Sequence, residues 1–417
     1  MNRTAKENRP PNVKPVEHIE VSDKHVGLRL VLVVVFLLIA GLAFAFSLNA
    51  LLSMEPGWTE ISASDSAQSC ASDFVFSYYF SSGTSSKTLM RRISALYSEK
   101  ASDAYRIFDV NADANAPGGI AYLNAHINEA VTVDEALYQA FRLLDGKQNR
   151  LLFLAPVYEQ EKGLFQCTYD YEAENFDASR NDTLRSFFAD VATFASDPDA
   201  VRLELLADHT VRLVVREDYA AFAEENGIET FVDFFWMQNA FVLDYLVDAM
   251  TSAGYTAGML ASYDGYSRML GSAVGSTSQT LFVRDGKQVR AIGTAEYKTP
   301  VSLVMYRNYP LSSSSMLYYT YEVGTVCFPY ISLTDGLPKA AANELVVYAP
   351  ERSCAEVLLD TVDLYLAESL SEDALIALAD QGVYSVWFVP ETVCYTENDA
   401  SFVLSAEGWS ARFRSGT

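Results

Sequence analysis

The alternation of apolar and polar positions divides the chain from residue 73 onward into short strands and helices. Residues 73–80, DFVFSYYF, alternate aromatic with small or polar side chains, which predicts a strand whose one face is buried. A Ser- and Gly-rich turn follows, after which Leu89, Ile93, Leu96 and Tyr97 recur at helical spacing. Thr132 with Glu135 three residues later predicts a capping box. The helix behind it presents Ala136, Leu137, Phe141 and Leu144 on one face and is closed by Gly146. Residues 200–215 alternate Leu and Val with charged residues around Ala207 to His209, which predicts a hairpin.

The densest apolar segment is VDFFWMQNAFVLDYL, residues 232–246, which nevertheless keeps Asp233 and Asp244, with Asp248 just beyond. Phe234, Phe235, Trp236 and Met237 in a row do not suit a surface helix, and the aspartates do not suit a membrane-spanning one, so a core helix is expected. Asp233 then reads as an exposed charge at the helix start and Asp244 as a polar-face residue. Further strands are expected at 255–263, 280–285, 301–306, the tyrosine-rich 316–323, 344–349 and 383–389, with turns at Asp264-Gly265 and Asp285-Gly286. Ser353 is expected to cap a helix running to about Ala367, and Ser369 with Glu372 to box another. Strands and helices alternate without a fixed repeat, so residues 73–417 read as one α/β domain of the mixed α+β kind.

Ahead of this domain the pattern changes. Residues 30–54 carry no charge, and at about 1.5 Å per residue they are long enough to cross a bilayer core of roughly 30 Å. Arg3, Lys6, Arg9, Lys14, Lys24 and Arg29 precede the run, which predicts residues 1–29 as a cytoplasmic tail, 30–54 as a single-pass anchor in the cell membrane, and the remainder outside the cytoplasm. Cleavage as a signal peptide near Ala43-Phe44-Ala45 is the alternative. Residues 55–72, rich in Ser, Ala and Asp, read as a juxtamembrane linker.

The chain has a net charge of −24, and residues 55–417, with 24 Lys plus Arg against 50 Asp plus Glu, carry −26, which sets the domain against nucleic acid as a partner. Five cysteines form no CxxC pair and fit neither a disulfide framework nor a thiolate metal site. Beyond the anchor only His126 and His209 remain, too few and too far apart in sequence to favour a histidine zinc site or a Ser-His-Asp triad.

The order of these elements, with a set of anchor residues, resembles the ApbE-type FAD:protein FMN transferases. That family's Asp-Leu-Gly-Gly-Ile-Ala-Lys-Gly-Tyr-Ala-x-Asp falls without a gap on Asp233 to Asp244, with Phe235-Trp236 in place of Gly-Gly and Asn239 in place of the lysine. Gly254 occupies the position of the glycine after the helix, and the next glycine pair falls on Tyr263-Asp264, followed by Gly265. The family's His-Ile-x-Asp-Pro-x-Thr-Gly-x-Pro lies over residues 329–338, where Gly336 and Pro338 persist but Pro329, Ser332 and Asp335 replace His, Asp and Thr. Its magnesium-holding Ala-Asp-Ala-x-x-Thr falls on residues 355–360, giving Glu356 and Asp360 on one helix face.

The resemblance implies an ApbE-like fold, FAD and Mg²⁺ as cofactors, and a membrane flavoprotein as partner. It places Asp233, Trp236, Asn239, Asp244, Tyr263, Asp264 and Gly265 around the flavin site and Glu356 and Asp360 at the metal, with Asp264 a further candidate ligand. Bulky side chains replace glycines that let a backbone approach a pyrophosphate, so the expectation is a non-catalytic or repurposed binding module with a pocket remodelled by Trp236, Tyr263 and Tyr266. The alternative is a divergent Mg²⁺-dependent transferase attaching FMN to Ser or Thr, or an FAD pyrophosphatase. The helix at 355–360 also has an ordinary reading, with Glu356, Asp360 and Asp363 as its solvated stripe.

Overall fold

A computed structural model describes residues 56–415, apart from 82–85, 146–148, 273–274, 298–299, 313–314 and 398–399, together with Val31 and residues 34–36. The expected tail and almost all of the expected anchor, with Gly146, lie outside the described residues. Among the described residues no helix is long and apolar enough to cross a membrane.

Nine strands form one sheet in which each neighbour is also the next sheet strand along the chain. It runs from Gly57–Glu60 and Phe74–Phe80 through Gly258–Ser262, Tyr266–Met269, Val301–Arg307 and Glu344–Pro350 to Tyr384–Val389, Thr392–Tyr395 and Ser410–Phe413. Its pairs are antiparallel except the last, Thr392–Tyr395 with Ser410–Phe413. The central strands are buried on both faces, which explains why they read as continuous apolar runs. Leu345 and Val347 point into the main core, while Val346 and Tyr348 join a second core with Leu281, Ile292 and Ala295. That second core lies under a three-stranded sheet of Thr277–Asp285, Gln288–Tyr297 and Ser401–Leu404.

Residues 56–72, within the expected linker, are folded onto the domain. Gly57–Glu60 is an edge strand, and Ile61, Ala67 and Ala71 are buried, because the segment docks on the helix Ser86–Phe108, where Ser94 Oγ donates to Ser62 O and Ser98 Oγ accepts from Ser64 N. The hairpin forms as expected, pairing Val201–Leu205 with Thr210–Val215 and adding Ala130–Thr132 as a third strand. That strand takes up Thr132, so the next helix is capped instead by Asp134, whose carboxylate accepts from Ala136 N at 3.0 Å. The cap of the helix Glu372–Ala379 is likewise Ser371, not Ser369. The tyrosine-rich segment yields only the two-residue strand Tyr319–Thr320, since its side chains are used otherwise: Tyr319 donates to Asp170 and Tyr321 to Asp177.

The apolar segment does fold as a core helix, Gln238–Ser252, entered through a 3-10 turn at Phe235–Met237. It packs against the helices Ser86–Phe108 and Cys354–Tyr365 and against the strands Gly258–Ser262 and Tyr266–Met269. Its two aspartates are buried, contrary to the surface readings, with Asp233 1% and Asp244 8% exposed. Asp244 accepts from the backbone N–H groups of Cys354 (2.9 Å) and Ala355 (2.8 Å), in the first turn of Cys354–Tyr365, and from Arg268 Nη1 (2.9 Å). Burial pushes its carboxyl up to about 6, against the pull of Arg268 and the two amides. One carboxylate thus joins the core helix, a sheet strand and a helix N-terminus whose orphan amides and dipole favour a negative charge.

Replacing Asp244 with Ala leaves two buried amides without their acceptor and Arg268 with Asp248 alone, and a loss of about 3 kcal/mol is expected from urea unfolding near neutral pH. A loss within about 0.5 kcal/mol, the range of ordinary surface changes, would remove this residue from its organising role.

Candidate functional site

The entry to the core helix is shaped by Asp233. Its Oδ1 accepts from Phe235 N at 2.8 Å, and its Oδ2 accepts from Lys162 Nζ at 2.6 Å. This local turn holds Phe235 at φ +46°, a left-handed backbone that bulky residues rarely adopt. Phe235 stands where the resemblance places the first glycine of the pair, and the backbone there has a glycine-type conformation although a phenyl ring occupies the space. That ring lies 4.8 Å from the ring of Tyr158 and stacks with Phe165 at 6.4 Å, with Lys162 Nζ 5.5 Å from its centroid.

Beside Phe235 opens a pocket of about 730 Å³, within the roughly 300–1,000 Å³ usual for small-molecule sites. Asn239, Tyr263 and Asp264 line it, as the resemblance implies. The Asn239 amide bridges two carboxylates, donating to Asp264 Oδ2 at 3.0 Å and to Asp73 Oδ2 at 3.3 Å. Asp264 Oδ1 is buried without a hydrogen-bond partner. Burial, reinforced by the charge of Asp73, raises the Asp264 carboxyl from 3.8 to about 7, the nearby Ser262 hydroxyl and the Asn239 amide opposing the shift. Near neutral pH the pocket therefore offers a carboxyl that can donate or accept. Tyr263 is 73% exposed, an aromatic face turned out of the fold.

The remaining predicted residues fall elsewhere. Trp236 is 2% exposed and sits beneath the pocket, its ring 5.2 Å from that of Tyr330 and its carbonyl accepting from Tyr266 OH at 2.9 Å. Trp236 and Tyr266 therefore support the pocket from the core and do not line it. Gly265 makes the turn between two sheet strands at φ +116°, where a Cβ would meet Met305 O at 2.4 Å. Gly336, at φ +72°, is likewise enforced, since a Cβ would lie 2.7 Å from Phe188 O. Asp233 lies behind Phe235, and Asp244 serves the helix contact described above.

Glu356 and Asp360 do not fit a magnesium site. The Glu356 carboxylate closes a capping box, accepting from Ser353 N at 2.8 Å while Ser353 Oγ accepts from Glu356 N at 3.1 Å. Asp360 is paired with Arg352, which also donates to Gln381 O at 2.7 Å. Among the described residues no group of three or more His, Cys, Asp or Glu side chains is arranged to hold a metal ion.

The sequence reading missed Asp73, Lys162, Arg307 and Tyr318, all of which line the pocket. Arg307 is buried beside Glu344, Nε to Oε1 3.5 Å. No local motif marks these residues. The one usable signal is that a buried Asp233 requires a cation, and Lys162 supplies it across 71 residues.

The architecture matches solved structures across most of the chain. The ApbE protein of Thermotoga maritima superposes with a TM-score of 0.54 at 12% identity, over 84% of this chain and 97% of that one. The flavin transferase ApbE of Vibrio cholerae gives 0.47 at 12% identity, over 80% and 94%. The resemblance read from the sequence is thus met in three dimensions, as a shared fold. No family model and no curated protein matches the chain.

Because the folded carboxyl of Asp264 titrates above its ordinary value, the folded state holds the proton more tightly than the unfolded one. Stability from this group is complete below about pH 4 and is lost as pH rises through about 7. Asp264→Asn should therefore raise Tm relative to the parent at pH 8 more than at pH 5. Equal differences at the two pH values would show that Asp264 is not held protonated.

Proposed function

We propose that residues 55–417 form a binding module on the outer face of the membrane, anchored by residues 30–54, which holds a flat, neutral heteroaromatic ring of the flavin kind without metal-dependent transfer. The observation that carries this reading is Phe235 at φ +46°, which keeps the backbone of a glycine turn while its ring occupies the approach a pyrophosphate would need. Charge supports the same conclusion. Asp73, Asp109 and Asp264 line the pocket, while Lys162 is paired with Asp233 and Arg307 with Glu344. A diphosphate would face carboxylates there. An uncharged ring system would instead find Tyr263 to stack on, and the Asn239 amide and Asp264 carboxyl to pair with its polar edge.

A second reading, a divergent transferase or FAD pyrophosphatase, is favoured by one feature, the unpartnered oxygen of Asp264. That reading requires a metal site other than Glu356 and Asp360. Its acceptor would be Ser or Thr of a membrane flavoprotein.

The full chain, in a non-glycosidic detergent, separates these readings. Flavin fluorescence should report saturable binding of riboflavin, at least about tenfold weaker binding of FAD, and no Mg²⁺-dependent release of FMN and AMP. Tyr263→Ala should weaken riboflavin binding. Cleavage of FAD only in the presence of Mg²⁺ would replace the binding module with the transferase, and absence of binding by either flavin would remove flavin from the function.

A further inference from the structure

The first edge of the nine-stranded sheet carries an exposed aromatic pair. Trp58 and Tyr79 oppose each other in the register of Gly57–Glu60 with Phe74–Phe80, and their rings meet edge to face at 5.8 Å. Phe74, Phe76, Tyr78 and Phe80 enter the main core, so by alternation Tyr79, with Trp58 across from it, stands on the other face of the sheet. Further along the sheet that face is covered, since Leu303 and Met305 enter the second core beneath the three-stranded sheet. At the edge it is open, with Trp58 48% and Tyr79 37% exposed.

An exposed aromatic side chain is ordinary by itself, and what sets this pair apart is its place in the chain. The uncharged run ends at Met54, and Trp58 is the fourth residue beyond it. Four residues reach at most about 14 Å even when fully extended. The headgroup layer flanking the hydrocarbon core is where tryptophan and tyrosine concentrate in membrane proteins, because each joins an apolar ring to a polar tip. Glu60 is the only charged residue on the two strands, so the pair stands on a nearly neutral surface.

We propose that this edge of the sheet rests in the headgroup layer of the bilayer, with Trp58 and Tyr79 as its lipid contacts, so that the domain is held in one orientation and does not swing freely. The inference rests on residues 30–54 being the anchor, and it adds the surface that meets the lipid. A neutral or zwitterionic bilayer is the partner that fits, since the strongly acidic domain is repelled by an anionic one. The pocket is served by this arrangement. Asp73, on its wall, lies at the other end of the strand from Tyr79, about 20 Å away at 3.3 Å per residue, so the lipid leaves the pocket mouth open to water.

Tryptophan emission tests this, because residues 1–54 contain no tryptophan and the four in the chain are Trp58, Trp236, Trp387 and Trp409. Trp236 and Trp387 are buried, and Trp409 adjoins the strand at the opposite edge of the sheet. The full chain is reconstituted into phosphatidylcholine vesicles, with or without acyl chains brominated near the headgroups, and recovered by flotation after an alkaline wash. Brominated lipid should quench the parent, Trp58→Phe should lose most of that quenching, and Trp409→Phe should keep it. Loss of the chain from the vesicles in the wash would remove the anchor, and the contact with it. A retained chain that is not quenched, or is quenched equally in Trp58→Phe, would overturn the contact alone. Shielding of Trp58 from aqueous iodide that grows with protein density, without quenching by bromine, would give the face to a second copy of the chain.

Discussion

The fold depends on a carboxylate placed where helix, strand and helix meet. Asp244 lies inside an otherwise apolar helix and can stay there because two backbone amides of Cys354–Tyr365 and the guanidinium of Arg268 surround it. An isolated charge at that depth would be strongly unfavourable, whereas three donors together make it the point that fixes how the core helix, the sheet and the C-terminal helix are oriented. The capping box of Ser353 and Glu356 completes the same helix terminus. Two of the acidic residues that a family resemblance assigns to cofactor and metal, Asp244 and Glu356, are thereby committed to holding one helix end.

The candidate site follows from this arrangement. With the core helix fixed, its entry turn at Phe235–Met237 is presented beside the strand turn at Asp264-Gly265, and the pocket opens between them. The left-handed conformation at Phe235 is maintained by Asp233 and Lys162 and by stacking on Phe165, so a strained backbone persists because its surroundings determine it. The fold is shared with the ApbE protein of Thermotoga maritima, while in the proposed reading the side chains at the helix entry suit an uncharged ring better than a nucleotide diphosphate. A shared fold with different pocket chemistry is the usual relation between architecture and function.

Much of the architecture could be read from the sequence. The strand at 74–80, the hairpin at 201–215, the core helix and the Ser353 cap each carry a local signal, because alternation, helical spacing and capping chemistry act within a few residues. Misreadings arose where tertiary contacts overrode composition. Residues 55–72 look like a linker, but Ile61, Ala67 and Ala71 have a core to enter. Residues 316–323 look like a strand, but their hydroxyls are drawn to Asp170 and Asp177.

The sequence by itself determined the order of elements, the resemblance to a flavin-transferase fold and three residues of the pocket, Asn239, Tyr263 and Asp264. Only the tertiary structure decided what the acidic residues do. Whether an aspartate is a ligand, a cap or half of an ion pair depends on donors more than a hundred residues away, as with Asp244 and Cys354, or 71 away, as with Asp233 and Lys162. Local periodicity reports which face of an element is buried; it carries no information about which distant group will meet a charge once that face is covered.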